Sequence, residues 1–538
     1  MSDEFRHRLV SRSGDGTSMN EAVPALGIDL GTTFSVVAQV SKGGVPTTLP
    51  NSEGSPTTPS VVLFDGDQVI VGAIAREAMA TDPELVVQLV KRRMGSEWVF
   101  EYRGVTYRAE HISALIVKKL LHDAQLLAGP VLQAAVTVPA HFNDTMRAAT
   151  RQAAEIAGVQ VLGLLSEPTA AAIAFGYDNR PQEMRGIVVD LGGGTFDVTV
   201  LEFDHQDVVV KGTGGDAYLG GANFDKILFD HFVQEFDREH RIDIREPDAL
   251  SIEAFTQISQ DWLLRADRAK HDLSARDRTV VQLQAAGLSM RLEVTRPSFE
   301  KMSAVLLDEL GEKIIDVVQT AGYAPSDFGV VLAVGGATRM PMVQERIRSL
   351  FKVAPDTSVR PDEAVALGAA LFAARCQMEE GYGLMIEPEA HAYIETMNVT
   401  DVSAHSLGIS AFEGAGGRRK MEVLLGRNSP LPDEKSQTFF TMHEGDTRIV
   451  IPVLEGDGPN PEDCVRIGKV VIEGLPPNRP AHRPVTVTMH YDRDGILKVT
   501  ARDDDSEKMV STVIERTGRS IRAGTDSAAE AVKSAVVH

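Results

Sequence analysis

Two stretches of this sequence place carboxylates, glycines and threonines in one form. Residues 186–200, GIVVDLGGGTFDVTV, run from an apolar strand into Asp190. Leu191, Gly192, Gly193, Gly194, Thr195, Phe196 and Asp197 follow before apolar alternation resumes. Residues 28–38, IDLGTTFSVVA, repeat the form with Asp29, Leu30, Gly31, Thr32, Thr33 and Phe34. Such a pattern reads as a tight turn between buried antiparallel strands. Successive glycines let the backbone approach a ligand closely and turn its N–H groups onto an anion. Carboxylates flanking that turn suit bare phosphate badly, so a divalent cation is expected between them. A solvated glycine-rich hairpin is the plain alternative for either copy alone. Two copies in one chain suggest a duplicated domain that holds a nucleotide between its halves.

The elements around these turns alternate between strand and helix. In the first half, residues 26–40 form the hairpin, 46–59 an extended loop, and 60–64 with 68–71 a second hairpin. Helical spacing covers residues 73–81. It returns after Pro83 with Leu85, Val86, Leu89 and Val90, and ends in Lys91, Arg92 and Arg93. That basic cluster reads either as helix C-terminal charge or as a functional group. Residues 100–107 form a strand pair, 111–127 an amphipathic helix, 133–139 a buried strand, 147–158 a helix and 159–165 a strand. An alanine-rich helix over 169–176 ends the first half. The second half adds helices over 225–240, 247–274 and 295–322. It closes with the apolar strand Val330–Val334, the GGATR turn and the segment 361–378. Strands alternating with helices argue an α/β class. Residues 379–400 lack clear periodicity and read as a linker. From 402 to 512, short alternating strands punctuated by turns predict a β-sandwich. Beyond it, a short helix over 527–537 looks too polar to bury much, and residues 1–24 read as a disordered tail.

Composition sets outer bounds. A chain of 538 residues is long enough for two or three domains with full cores. The net charge of −22 disfavours nucleic acid and anionic membranes as partners. Cys376 and Cys464 stand far apart, so neither a disulfide framework nor a cysteine metal site is expected, and a reducing cytoplasm is the simplest home. No apolar run reaches the roughly 18 residues of a membrane helix.

Seven motifs in order, IDLGTTFSVVA, VTVPAHFND, SEPTAAAIAFG, VVDLGGGTFDVTV, GDAYLGGANFD, AVGGATRMP and PDEAVALGAA, resemble the 70-kilodalton heat-shock (DnaK-like) chaperones. The likeness spans about residues 25–515. It implies an α/β actin-like two-lobed ATPase domain over 25–378, a divergent linker over 379–400, and an all-β peptide-binding sandwich over 401–515. Residues 516–538 would be a short tail in place of the family's helical lid.

By the same resemblance, ATP and ADP are the ligands and Mg²⁺ the cation, with K⁺ beside it. Gly31, Thr32, Thr33 and Phe34 match the first phosphate loop, and Gly192, Gly193, Gly194 and Thr195 the second. Asp29 and Asp190 match the acids that hold magnesium through its waters. Lys91, Glu167, Thr195 and Asp197 match the hydrolytic group. Asp267, Lys270, His271 and Ser274 match the adenosine side, with Gly335, Gly336, Arg339 and Asp362 opposite. His271 stands where some relatives carry arginine, and Ala337 replaces a serine. Looser nucleotide binding is therefore expected. Pro139 and Arg147 match an interlobe switch. Ile409, Phe439, Ile449 and Ile451 match the peptide slot, with Phe412 and Met442 arching over it; ordinary core is the plain reading for each.

The implied function is an ATP-dependent chaperone with weak ATPase activity, acting in the cytoplasmic stress response on extended segments of unfolded proteins. J-domain co-chaperones and nucleotide-exchange factors would be its partners. A nucleotide-gated regulatory protein with one dedicated partner is the alternative. The matching linker, Thr396, Met397, Asn398, Val399 and Thr400, is polar where the family has leucines. That departure questions how ATP would act on the sandwich, and the missing lid predicts fast peptide exchange.

Overall fold

The structure is a computed structural model that describes residues 24–246, 249–356, 358, 360–413, 417–513 and 526–538. The expected tail before residue 24, the helix start at residue 247, the turn at 414–416 and residues 516–525 lie outside these.

Two sheets carry the α/β part, and they repeat one arrangement. In the first, Leu26–Asp29 pairs antiparallel with Phe34–Val40 and parallel with Gln133–Val138; Pro46–Leu49 and Gln160–Ser166 lie at the edges. In the second, Glu183–Leu191 pairs antiparallel with Phe196–Asp204 and parallel with Val330–Val334, and Asp207–Asp216 continues the meander. Each glycine-rich turn thus joins a central strand to its antiparallel neighbour. The alanine-rich helix Glu167–Asn179 packs against Ala364–Glu379 between the two sheets. Contact is so close that a Cβ on Gly368 would lie 1.7 Å from the Ala170 carbonyl oxygen. Small residues on both helices permit that approach, and strand Gln133–Val138 beside them is wholly buried.

Several local expectations change. Residues 83–93 are not a helix. Pro83–Leu85 is a 3-10 turn, and Val86–Val87 pairs antiparallel with Val62 and Leu63 as a third strand. Leu89 takes a left-handed backbone with φ 53°, and Val90–Arg93 is a second 3-10 turn. The β-branched pair found strand partners that sequence spacing could not reveal. Likewise 295–322 divides into Arg296–Met302 and Ala304–Thr320, and an unexpected hairpin, Arg278–Ala285 with Leu288–Thr295, precedes it.

The segment read as a linker contains the helix Pro388–Thr396. Ala390, Ile394 and Met397 are buried, in the last two cases almost completely. Tyr393 meets Tyr177 edge-on at 5.2 Å, and the Arg180 guanidinium lies 3.7 Å above the Tyr393 ring. Val399–Thr400 then joins the second sheet in parallel register with Val208 and Val209. Backbone pairing needs no leucines, and the apolar anchor has moved upstream into the helix.

The segment expected to form a β-sandwich makes two four-stranded sheets, Leu407–Phe412 with its neighbours and Asp433–Phe440 with its neighbours. Its core includes Leu407, Val453, Val487, Met489 and Leu497. The sandwich is docked on both α/β sheets. Arg427 donates to the Thr213 carbonyl at 3.0 Å, and Thr213 N–H to Asn428 Oδ1 at 3.2 Å. Tyr491 donates to Asp144 at 2.8 Å, Leu164 N–H to Asp494 at 3.2 Å, and Arg151 pairs with Asp494.

The last helix, Ser527–Ser534, buries more than its composition predicts. Ala528, Ala529, Val532 and Val537 join the core of the first sheet's helices. Asp526 caps the helix by accepting from Ala528 and Ala529 N–H. Lys118 Nζ caps its other end, donating to the carbonyls of Val532, Lys533 and Ala535 at 2.7–2.8 Å. Its few apolar residues all fall on one face, so a polar average concealed a buried stripe. Among the described residues no helix is long and apolar enough to cross a membrane.

Candidate active site

The two glycine-rich turns face each other across the cleft between the sheets. A Cβ on Gly193 would lie 1.8 Å from Thr33 Oγ1, and one on Gly194 would lie 2.3 Å from the Thr32 methyl carbon. Only glycine allows jaws to close this far. Each jaw is braced from behind. Ser60 donates through its hydroxyl to the Gly31 carbonyl at 2.8 Å. Gly221 and Ala222 N–H donate to the carbonyls of Gly192 and Gly193 at 2.9 and 2.8 Å, which ties the second jaw to the start of helix Gly221–His240. Asp190 and Asp197 stand opposite each other in register at the mouth of the second hairpin. Gly335 sits with φ 82° against them, where a Cβ would lie 2.5 Å from Asp190 Oδ1.

Beneath the jaws lies a buried ionic cluster. Lys91 and Glu167 are buried and form an ion pair. Thr137 donates to Asp29 at 3.1 Å. His141 donates to Asp197 Oδ1 through both its backbone N–H and Nδ1, at 3.2 and 2.8 Å. Burial pushes Glu167 up to about 7, although Lys91 pulls against it. Burial likewise raises Asp29, again opposed by Lys91. It raises Asp190 strongly, and the neighbouring charges of Glu167, Asp197 and Asp29 add to the shift. Four buried acids sharing one lysine fit a site built for additional positive charge. Among the described residues no three such groups converge to hold a metal directly.

The cleft continues outward to a volume of about 890 Å³. Its walls bring together Asp29, Gly31, Thr32, Thr33, Phe34, Glu167, Asp190, Gly192, Gly193 and Thr195 with Asp267, Lys270, His271, Ser274, Gly335, Gly336, Arg339 and Asp362. Lys91, Gly194 and Asp197 stand behind that wall rather than on it. On the outer side Lys270 bridges Asp225 at 2.7 Å and Asp267 at 3.1 Å, and Arg339 pairs with Asp362 at 2.5 Å. Burial pushes Asp225 up to about 6. Burial also works against the charge on Asp267, but the His271 hydrogen bond and the Lys270 and Arg76 charges outweigh it and hold that carboxyl below its ordinary range.

Two residues here escaped sequence reasoning. Arg76 crosses the cleft mouth to pair with Asp267 and lies 5.3 Å from the Phe34 ring centroid. His141 holds Asp197. Neither carries a local signal, because each acts across a gap between segments far apart in sequence. Arg92, read from sequence only as part of a basic cluster, reaches over to donate to the Gly194 carbonyl at 2.7 Å and to Asn223 at 3.1 Å.

A family model described as Hsp70 protein matches residues 25–101 and 97–535. The Chaperone protein DnaK of Thermotoga petrophila is 38% identical over 503 residues, covering 92% of this chain and 80% of that protein. Those of Deinococcus proteolyticus and Thermosipho africanus are each 36% identical, covering 92% of this chain and 79% and 80% of theirs. The chain belongs to the Hsp70 family.

In this Hsp70 the residues matched to an interlobe switch lie where the sandwich docks. Pro139 is buried, and Arg147 donates to the Phe142 carbonyl at 3.1 Å. A Cβ on Gly495, in the sandwich, would lie 3.0 Å from Arg147 Cδ. Burial raises Asp401, at the end of the linker, and the Arg147 charge lowers it in part. The residues matched to a peptide slot do not share one environment. Ile409 and Ile451 are enclosed in the sandwich core, whereas Phe439 and Ile449 are half-buried at its edge. Met442 is half-buried. Phe412 is exposed, with the Arg419 guanidinium 4.6 Å from its ring centroid.

Proposed function

We propose that this Hsp70 is an ATP-dependent molecular chaperone that hydrolyses ATP to ADP and binds extended hydrophobic segments of unfolded proteins. The observation that carries the reading is the closure of two threonine- and glycine-bearing jaws over the buried Lys91–Glu167 pair. Two sheets of one arrangement support an actin-like, two-lobed ATPase domain over about residues 25–378, with a peptide-binding sandwich over 401–515.

Phosphoryl transfer asks mainly for positioning and charge neutralisation. Thr32, Thr33 and Thr195 with the glycine N–H groups seat the phosphates. Lys91 bonds the γ-phosphate and Glu167 lies near the attacking water. Asp197 orients that water, and K⁺ would bind beside it. Asp29 and Asp190 would hold Mg²⁺ through its waters, and the ion would supply charge neutralisation to the phosphates. Asp267, Lys270, His271 and Ser274 bind the adenosine, with Gly335, Gly336, Arg339 and Asp362 opposite. On the sandwich, Phe439 and Ile449 contact the peptide side chain, and Phe412 and Met442 border it. Burying one leucine yields only about 1.5–3 kcal/mol, so backbone hydrogen bonds must supply the rest and recognition is sequence-tolerant.

Docking through Arg427, Asp494 and Tyr491 gives the nucleotide a route to the sandwich. J-domain and exchange-factor partners and a cytoplasmic site follow from the same reading. The test is release of a fluorescent unfolded peptide on mixing with ATP. Release accelerated by ATP and unaffected by ADP supports the reading; release indifferent to nucleotide opposes it.

A further inference from the structure

His141 lies between the hydrolytic group and the sandwich, with its backbone N–H and Nδ1 bonded toward the first and its carbonyl toward the second. It sits in the loop that leaves strand Gln133–Val138 and enters helix Asp144–Ile156. The loop is stiff. Phe142 N–H donates to the Pro139 carbonyl at 3.1 Å, Ala140 and Phe142 are buried, and Asn143 caps the helix by accepting from Met146 N–H. The imidazole meets the Phe142 ring edge-on, at 84°.

From this loop His141 sends two donors to one oxygen, Asp197 Oδ1. A carboxylate accepts, so Nδ1 carries the hydrogen. Gly215 backs the same oxygen, where a Cβ would lie 3.0 Å from it. Oδ1 is therefore fixed on two sides, while Oδ2, also buried, has no partner among the described residues. That division suits an acid that must present one oxygen in a set direction. On its other side, the His141 carbonyl accepts from His405 Nε2 at 3.2 Å. His405 belongs to the sandwich, immediately before its first strand, Leu407–Phe412. One residue thus joins Asp197 to the docked domain.

We propose that His141 is a positioning residue for hydrolysis, holding Asp197 in its working orientation and transmitting the docking of the sandwich through the bond from His405. The inference rests on the reading that Asp197 acts in ATP turnover. Fixing a reacting group matters because misplacement by about 1 Å can cost roughly 100-fold in rate.

The experiment measures single-turnover ATP hydrolysis and nucleotide affinity in the full chain. Asp197→Asn is the reference: a loss of turnover sustains the reading of Asp197, and normal turnover removes that reading itself. Given the loss, His141→Ala should lower the hydrolysis rate by roughly 10- to 100-fold with ATP affinity little changed. His141→Asn, whose amide nitrogen can occupy the place of Nδ1, should recover part of it. His405→Ala should alter the rate by about 2- to 10-fold, the range that one hydrogen bond spans, and by less in the His141→Ala background, where only the backbone N–H still reaches Asp197. Hydrolysis unimpaired by His141→Ala would overturn the inference. So would affinity and rate falling together, no rescue by asparagine, or an effect of His405→Ala as large without the histidine ring as with it.

Discussion

If the helix Pro388–Thr396 anchors the linker, removing its central side chain should free the linker from the second sheet. At nine residues the helix is too short to persist in isolation, since free helices below about 12–15 residues are marginal. It is held by the burial of Ala390, Ile394 and Met397, by Tyr393 against Tyr177 and Arg180, and by the bond from Arg375 Nε to the Met397 carbonyl. The linker strand itself contributes only two residue pairs. Ile394 is fully buried, and truncating such a residue to alanine costs about 2–5 kcal/mol. Applied to local opening, that cost multiplies the open fraction by roughly 30 to several thousand. Hydrogen exchange reads it directly: the Val208 amide, bonded to the Asn398 carbonyl at 2.9 Å, should exchange faster by that factor in Ile394→Ala. Amides inside the sandwich should be unaffected. Gly44→Ala should act the same way from the facing hairpin, because its Cβ would lie 2.1 Å from the Ala390 methyl. An unchanged Val208 rate in both variants would refute the anchoring role.

Arg76→Ala removes a half-buried ion pair across the cleft mouth, so nucleotide should dissociate a few-fold faster in stopped-flow measurements, consistent with about 1 kcal/mol for such a pair. An unchanged off-rate would show that the pair does not restrain the cleft. In the nucleotide-free protein, raised acids retain protons that the unfolded chain releases. Stability should therefore be greatest below about pH 4.5 in their contribution, and decline as pH rises through the value of about 7 for Glu167. Glu167→Gln should flatten part of that decline in thermal melts, and Mg-ATP should stabilise more at neutral pH than in acid; an unaltered slope in the variant contradicts the shift. Val532→Asp should detach the last helix and lower the denaturant stability of the first sheet's lobe by about 1–3 kcal/mol, with wild-type melts from the variant as the contrary result.

The readable parts of this chain were those whose signal is local. Each glycine-rich turn declares itself within a dozen residues, because glycines, threonines and acids adjoin in sequence as well as in space. The two four-stranded sheets after the linker were legible as strands from alternation and turns. Lys91 stood out from its residues as helix-end charge or a functional group, and only the family likeness favoured the second. Spacing placed it at the end of a helix, whereas strand pairing by Val86 and Val87 and the left-handed Leu89 carry it into the buried cluster. The helix Pro388–Thr396 did leave a trace. Pro388 opens it, and Ala390, Tyr393, Ile394 and Met397 repeat at helical spacing among polar neighbours. Arg76 and His141 left none, because an interaction across a cleft has no sequence period. Peptide contact on the sandwich is the hardest to read, since alternation marks Ile409 and Ile449 alike while only the former is enclosed.

The central claim is that the jaws and the Lys91–Glu167 pair drive ATP turnover in the service of binding unfolded chains. It is tested most directly by ATP hydrolysis with and without an unfolded peptide, in the wild type and in Lys91→Ala. Slow basal turnover that the peptide accelerates, with both lost in the variant, is the predicted result. Turnover that ignores the peptide, or that survives removal of the lysine, would contradict it.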